Sequence, residues 1–311
     1  MKIVNAAVAI LRRDDGCVLL AERPEGKPWA GWWEFPGGKI EAGETALHAL
    51  QRELREELGI EVKQAFPWLT RSFEYPDRHV RLHFFIVREW HNEPQGCEGQ
   101  VLSWQSPAGL TVSPMLPANE PILAALNLPP IYAITNLQEL GESRFFAGLE
   151  RALDRGFALI QVREKHLEQD ALEQFVSHVL RKARPYQARV LLNGSIDIAR
   201  KLGVDGVHLS SDRLLALESR PEGLLCAASC HSQQELDKAG QLGLDFAVLS
   251  PVQHTLSHPG AQVLGWDGFA RIAGGNALPV YALGGLQLSD MGQAWAHGAH
   301  GLAMQRAVWA E

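Results

Sequence analysis

Glu53, Glu56 and Glu57 are the residues whose types and spacing carry the most chemistry. Steps of three and four residues put their carboxylates on one face of a helix. Like charges held there repel unless something positive sits among them. Hard divalent cations take oxygen ligands and bind where phosphates bring further oxygens, so the cluster reads as a site for a metal and a polyphosphate. The alternative is a solvated helix face, which is what most charge-rich helical segments are. Against it, Arg52 and Arg55 are the only Lys or Arg residues of the segment, whereas a surface helix intersperses more of them to make i,i+4 pairs.

The elements that position these carboxylates are legible on either side. Gly37 and Gly38 form a glycine loop ahead of segment 45–58, where Ala46, Leu47, Leu50, Leu54 and Leu58 recur at helical spacing and Gly59 supplies a stop. The apolar stripe is expected to pack inward and the glutamates to face a cleft. Upstream, residues 2–11 are apolar and β-branched, 13–16 (Arg-Asp-Asp-Gly) signal a hairpin turn, and 17–21 give a second strand. Further strands are predicted at 69–74, 79–90 and 101–104, which makes a mixed sheet with helices on it. Leu126-Asn127-Leu128-Pro129-Pro130 breaks the pattern, and its paired prolines favour a short extended link. Two domains are expected, 1–128 and 131–311.

Composition limits the partners. A chain of 311 residues is long enough for two domains with proper cores, and 46% hydrophobic with 21% charged residues is ordinary for a soluble globular protein. The net charge of -7 gives no basic footprint for polymeric DNA or RNA or for an anionic membrane, so any nucleic-acid link is expected to be to a small nucleotide. Cys17, Cys97, Cys226 and Cys230 form no CxxC pair and are expected as reduced thiols. No apolar run reaches membrane-spanning length and the start shows no small-residue cleavage pattern, so a cytoplasmic enzyme is expected. The twelve histidines are scattered, and no zinc site is expected among them.

Gly38, five residues, Glu44, seven residues, then Arg52-Glu53-Leu54-x-Glu56-Glu57-x-Gly59-Ile60 matches every fixed position of the Nudix box, so the first domain resembles the Nudix hydrolases. Beyond the box, 75–79 (Tyr-Pro-Asp-Arg-His), Glu93-Pro94, Glu98-Gly99-Gln100 and Pro117-Ala118-Asn119-Glu120-Pro121 look like the MutT type, the 8-oxo-dGTP diphosphatases, over about residues 3–126. The resemblance implies an α/β/α sandwich with a mixed sheet. It implies Mg²⁺, with Mn²⁺ as a substitute, held by Glu53, Glu56, Glu57, Glu98 and the Gly37 carbonyl. Glu53 would also help activate water, Arg52 would orient the cluster, and Arg23 and Lys39 would neutralise phosphate charge. Phe35 and Arg78 would line the base pocket. Asn119 would read the oxidised base, because an amide offers both donor and acceptor to the N7–H and C=O edge of 8-oxoguanine. From its Pro-rich loop alone Asn119 reads as a turn former, and only the surrounding match turns that reading. The implied reaction is attack of water on the β-phosphorus of a nucleoside triphosphate, giving the monophosphate and pyrophosphate. A site left with unpaired buried polar groups by the wrong base rejects it by roughly 10⁴-fold.

After the boundary, eight short apolar runs recur at 132–135, 158–163, 190–193, 206–209, 225–229, 247–251, 280–284 and 301–305, most of them separated by helix-like stretches such as 145–155, 172–183 and 233–241. This repeat predicts a compact TIM (β/α)₈ barrel with functional groups at the strands' C-terminal ends. Tyr132-x-x-Thr135, Gln161-Val162-Arg163-Glu164-Lys165, Leu192-Asn193, Gly206-Val207-His208-Leu209, Ser250-Pro251-Val252 and Gly284-Gly285, in this order, resemble thiamine-phosphate synthase and its TenI-like relatives. The resemblance implies a phosphorylated ligand, with Arg163 and Lys165 on a pyrophosphate and Gly284 and Gly285 offering backbone N–H groups to a phosphate. Three positions depart from it. Gly194 stands where the synthase has an Mg²⁺-binding aspartate. The second metal aspartate falls near Arg213, with Asp212 one position early. His258 replaces a lysine. Three readings follow for the barrel: a degenerate phosphate-binding module, a second enzyme that makes thiamine phosphate, or a non-catalytic sensing or structural module.

Overall fold

A computed structural model of the chain describes residues 3–75, 78–255, 260 and 262–310. The chain divides into two compact units, Met1–Leu128 and Pro129–Glu311.

The first unit runs β1 (Ile3–Leu11), β2 (Val18–Glu22), β3 (Trp33–Glu34), β4 (Gly37–Lys39), α1 (Ala46–Leu58), β5 (Glu61–Tyr75), β6 (Arg78–His91), β7 (Leu102–Gln105), a 3₁₀ turn (Pro117–Asn119) and α2 (Glu120–Leu126). One sheet has the order β4-β1-β6-β5. It is mixed, because β1 and β6 are parallel while β4 and β5 are antiparallel to their neighbours. A smaller antiparallel sheet has the order β3-β2-β7.

Alternation along β1 explains the layers. Ala7, Ala9 and Leu11 are buried with Ala49, Leu50, Leu54 and Leu58 of α1, while Val8 and Ile10 are buried with Ile122, Leu123 and Leu126 of α2. Successive side chains of a strand point to opposite faces, so a strand apolar at every position must be covered on both. The mixed sheet thus lies between two helices, as the sequence predicts. The helix is held where the box is: Thr45 caps it by accepting the His48 N–H (3.2 Å), and the chain turns at Gly59, whose N–H donates to the Arg55 carbonyl (3.1 Å).

The expected turn at 13–16 joins β1 to β2, with Arg12 bridging Val18 and the Arg13 N–H donating to the Cys17 carbonyl (3.0 Å), before the strands enter different sheets, both edges of β1 being paired with β4 and β6. Two sequence expectations need correction. The strand expected at 69–74 starts at Glu61 and absorbs register shifts near Val62, Gln64 and Pro67, which hide its alternation from a two-residue period. Leu47, in the first turn of α1, is 38% exposed, and Ala49 takes its place in the buried stripe.

The second unit is a closed parallel barrel of β8 (Ile131–Ile134), β9 (Leu159–Val162), β10 (Arg189–Leu192), β11 (Gly206–Leu209), β12 (Leu225–Cys230), β13 (Phe246–Leu249), β14 (Val280–Leu283) and β15 (Gly301–Met304), in sequence order around the ring. Between the strands stand α3 (Leu137–Leu140), α4 (Glu142–Asp154), α5 (Gln169–Ala183), α6 (Ile196–Leu202), α7 (Ser211–Ala216), α8 (Gln233–Gln241), α9 (Gly265–Ala273) and α10 (Met291–Ala296). All eight runs read from the sequence are strands. Tyr132 contacts Phe246, Tyr281 and His208 ring to ring at 5.1, 5.8 and 5.7 Å, so side chains fill the barrel and leave its chemistry to the mouth. Among the described residues no helix is long and apolar enough to cross a membrane.

Leu54 is fully buried between α1 and the sheet. Leu54→Ala is expected to lower the stability of the first unit by about 2–5 kcal/mol. Chemical denaturation checks this, and a loss below about 1 kcal/mol would mean that this stripe does not anchor the helix.

Candidate functional site

The loop after β4 and the exposed face of α1 meet at Arg52. Its Nε donates to Glu44 Oε1 (2.9 Å), Nη2 donates to Glu44 Oε2 and to the Lys39 carbonyl (both 3.0 Å), and Nη1 donates to Glu53 Oε1 (2.9 Å) and Glu56 Oε2 (3.3 Å). The planar fork suits such a two-sided grip, which an ammonium does not reproduce. Glu44 also accepts the Glu41 N–H (3.0 Å). These bonds, Arg52's first, hold its carboxyl down at about 2. Glu44 is a fixed box position to which sequence reasoning gave no task. Its signal was weak because it sits in a loop, outside the helical period that groups the other glutamates.

Behind Arg52 the carboxylates crowd. A Cβ added at Gly38 would stand 2.2 Å from Glu53 Cδ, so the glycine leaves the space that the Glu53 carboxylate fills. Burial first, then the charges of Glu53 and Glu98, push the Glu57 carboxyl up to about 7, against a hydrogen bond from the backbone of Gly37. Glu98 reaches this cluster from the loop before β7 and pairs with Lys27 (2.5 Å). Arg23 pairs with Glu34 (2.6 Å) and donates to the Pro28 carbonyl (2.7 Å). Lys27 and Glu34 are the residues that sequence reading missed: Lys27 meets a partner 71 positions away, and no local spacing announces that.

The remaining expected residues divide. Lys39 is exposed on β4, and its carbonyl is engaged by Arg52. Phe35 is buried, 3% exposed, in one cluster with Val8, Trp33, Phe84, Met115 and Ile122. The chain before Asn119 is tied to β3, with the Trp33 N–H donating to the Pro114 carbonyl (2.8 Å) and the Leu116 N–H to the Trp33 carbonyl (3.0 Å). Asn119 is 4% exposed at the start of α2, yet its side chain makes no capping hydrogen bond. Arg78 begins β6, and its side chain lies outside the described residues.

Among the described residues no three His, Cys, Asp or Glu side chains form a set placed to hold a metal ion. The reason is visible in the partners: Glu56 is drawn to Arg52 and Glu98 to Lys27. The expected ligands are therefore brought near one another without being closed into a ready cage. Their chemistry fits a hard divalent cation, since every expected donor is an oxygen, four of them on carboxylates, and Glu57 feels its neighbours' negative charge.

In the barrel, Arg163 and Lys165 follow β9 and Gly284 and Gly285 follow β14, all at the C-terminal ends of strands. Gly285 has φ +69, and a Cβ there would stand 2.4 Å from the His254 carbonyl; at Gly284 (φ +114) it would meet Pro251 at 2.9 Å. Both glycines thus also serve close packing of two mouth loops. His258 lies outside the described residues.

Comparison with known proteins identifies the class. The NUDIX domain model matches residues 1–126 and the thiamine monophosphate synthase model matches residues 131–308. The chain belongs to the Nudix family through its first unit and to the thiamine monophosphate synthase family through its second. Over 126 residues it is 42% identical to an 8-oxo-dGTP diphosphatase of Escherichia coli strain K12, covering 40% of this chain and 98% of that protein. A CTP pyrophosphohydrolase of the same organism is also 42% identical, over 125 residues that make up 40% of this chain and 92% of that protein. The barrel is 28% identical to a thiamine-phosphate synthase of Synechocystis sp. over 182 residues, which are 57% of this chain and 52% of that protein.

Two outcomes are expected of this geometry. Gly38→Ala pushes only the far end of a flexible side chain, so it should leave the melting temperature nearly unchanged while lowering kcat/KM by at least about tenfold; equal losses of stability and activity would contradict it. For Glu57, a carboxyl raised in the fold from 4.5 to about 7 stabilises below the lower value and ceases to do so as pH rises through the upper one. Added Mg²⁺ should therefore raise the melting temperature of the metal-stripped protein more at pH 8 than at pH 5, which scanning calorimetry measures.

Proposed function

We propose that the first unit hydrolyses 8-oxo-dGTP to the monophosphate and pyrophosphate, removing the oxidised nucleotide before DNA synthesis can use it. The observation that carries the diphosphatase chemistry is the Arg52 hub, which holds Glu44, Glu53 and Glu56 in one geometry beside Glu57 and Glu98. In this reading Glu53, Glu56, Glu57, Glu98 and the Gly37 carbonyl hold Mg²⁺, or Mn²⁺ in its place. The bound cation supplies charge neutralisation and lowers the pKa of water. Arg52 keeps the carboxylates oriented, so that little reorganisation accompanies the reaction. Glu53 accepts the proton from the attacking water, and Arg23 and Lys39 meet the phosphate oxygens, Arg23 after exchanging Glu34 for its substrate.

Equal identity to a CTP pyrophosphohydrolase means that overall similarity does not choose the base. Asn119 favours the oxidised purine. A buried amide that does not cap its own helix has donor and acceptor to offer a ligand, and Phe35, buried in one cluster with Ile122 of α2, is assigned with Arg78 to the base pocket. An unpaired amide left behind by the wrong base is the physical source of selectivity. In the barrel, Arg163, Lys165, Gly284 and Gly285 are the residues we assign to a phosphorylated ligand.

Hydrolysis of a panel of 8-oxo-dGTP, dGTP and CTP by the full chain tests the assignment. The wild type should prefer 8-oxo-dGTP, Glu53→Gln should remove most turnover of all three, and Asn119→Ala should cut the preference over dGTP by at least about 100-fold with dGTP turnover changed only a few fold. A preference for CTP, or a preference that survives Asn119→Ala, would refute the base assignment.

A further inference from the structure

The synthase resemblance implies Mg²⁺ at the barrel mouth, held at the ends of β10 and β11, and the residues present do not fit it. Gly194 follows β10 and brings no ligand; even a Cβ there would press on Leu192 Cγ at 3.1 Å. After β11, Asp212 is a single exposed carboxylate on α7, followed at once by the cation Arg213. Three further carboxylates, Glu164, Glu139 and Glu235, are engaged by the protein's own donors. Glu164 accepts the Leu137 N–H (2.9 Å) and faces His166 (3.5 Å). Glu139 accepts from Asn136 (2.9 Å) and pairs with Arg306. Glu235 accepts the backbone N–H groups of Ser232 (3.1 Å) and His231 and the Ser211 hydroxyl.

Two cations at this end, Arg163 and Lys165, show the opposite pattern. Arg163 is fixed through its backbone, whose N–H donates to Thr135 Oγ1 (3.0 Å), while its half-buried guanidinium has no hydrogen-bond or ion-pair partner among the described residues. Burial lowers its pKa, with Glu164 opposing. Lys165 is exposed two residues on and is likewise without an ion-pair partner there. A guanidinium partly taken from water gains most from a planar or tetrahedral anion that accepts two of its N–H groups at once, and phosphate is such an anion.

We infer that the barrel mouth captures a phosphate or diphosphate group directly on Arg163, supported by Lys165, with no divalent cation. This rests on the phosphate-binding reading of the barrel and departs from the metal-dependent site that its family implies. Positive charge that a metal would bring is here supplied by the chain itself, so affinity for the anion does not depend on free Mg²⁺.

Isothermal titration of the full chain with inorganic pyrophosphate and with inorganic phosphate tests this, first in EDTA and then in Mg²⁺. The expected result is binding in EDTA that Arg163→Met weakens at least about tenfold and Lys165→Met weakens less, with circular-dichroism melts matching the wild type. Pyrophosphate binding stronger than phosphate binding identifies a diphosphate ligand, and the reverse a monoester; either supports the inference. Binding that appears only with Mg²⁺ and is lost in Arg163→Met would overturn metal independence and leave the phosphate reading standing. Binding that appears only with Mg²⁺ and is lost instead in Glu53→Gln, or no binding at all, would overturn both.

Discussion

Repulsion among carboxylates governs the first unit. Five of them, Glu44, Glu53, Glu56, Glu57 and Glu98, are gathered by one short helix, the loop before it and one loop from far along the chain. Like charges held close together cost free energy that grows as water is excluded. Arg52 relieves part of it with a guanidinium that grips Glu44 on one side and Glu53 and Glu56 on the other. Lys27 relieves another part at Glu98. What is left adds to burial at Glu57, whose carboxyl is raised by burial first and by its neighbours' charges second. A site in that condition is primed for a cation by its own electrostatics.

The scaffold around it follows from holding that charge still. A helix that presents carboxylates on one side must be clamped on the other, and Leu50, Leu54 and Leu58 do this against Ala7, Ala9 and Leu11 of β1. The same strand sends Val8 and Ile10 the other way, into the cluster that contains Phe35 and the α2 residues next to Asn119. One strand thereby sits behind both the carboxylate cluster and the Phe35 cluster. A shift of β1 would disturb the two together.

The barrel solves a different problem with similar means. Its strands are buried on both faces and its interior is filled by rings, so variation is confined to the residues that follow each strand. There Glu139, Glu164 and Glu235 are satisfied internally while Arg163 and Lys165 are left over, the reverse of the first unit, where carboxylates exceed their partners. The two units of one chain thus carry opposite electrostatic imbalances.

Much of this was legible in the sequence because it is local. The periodicity of Leu50, Leu54 and Leu58, the glutamates at steps of three and four, and eight apolar runs at regular intervals each reflect a repeat that the backbone geometry imposes. These fixed the helix, the layers and the barrel, and the motif spacing carried both families. What only the tertiary structure decided depends on contacts between residues far apart in the chain. Lys27 meets Glu98, Glu34 meets Arg23, Glu44 closes on Arg52 from a loop, and β1 parts from β2 because its edges were already paired. Nothing in the local spacing of Gly38 says that Glu53 will lie against it. Secondary structure answers to neighbours along the chain, whereas the partner of a charge is set by whichever group the fold brings within reach.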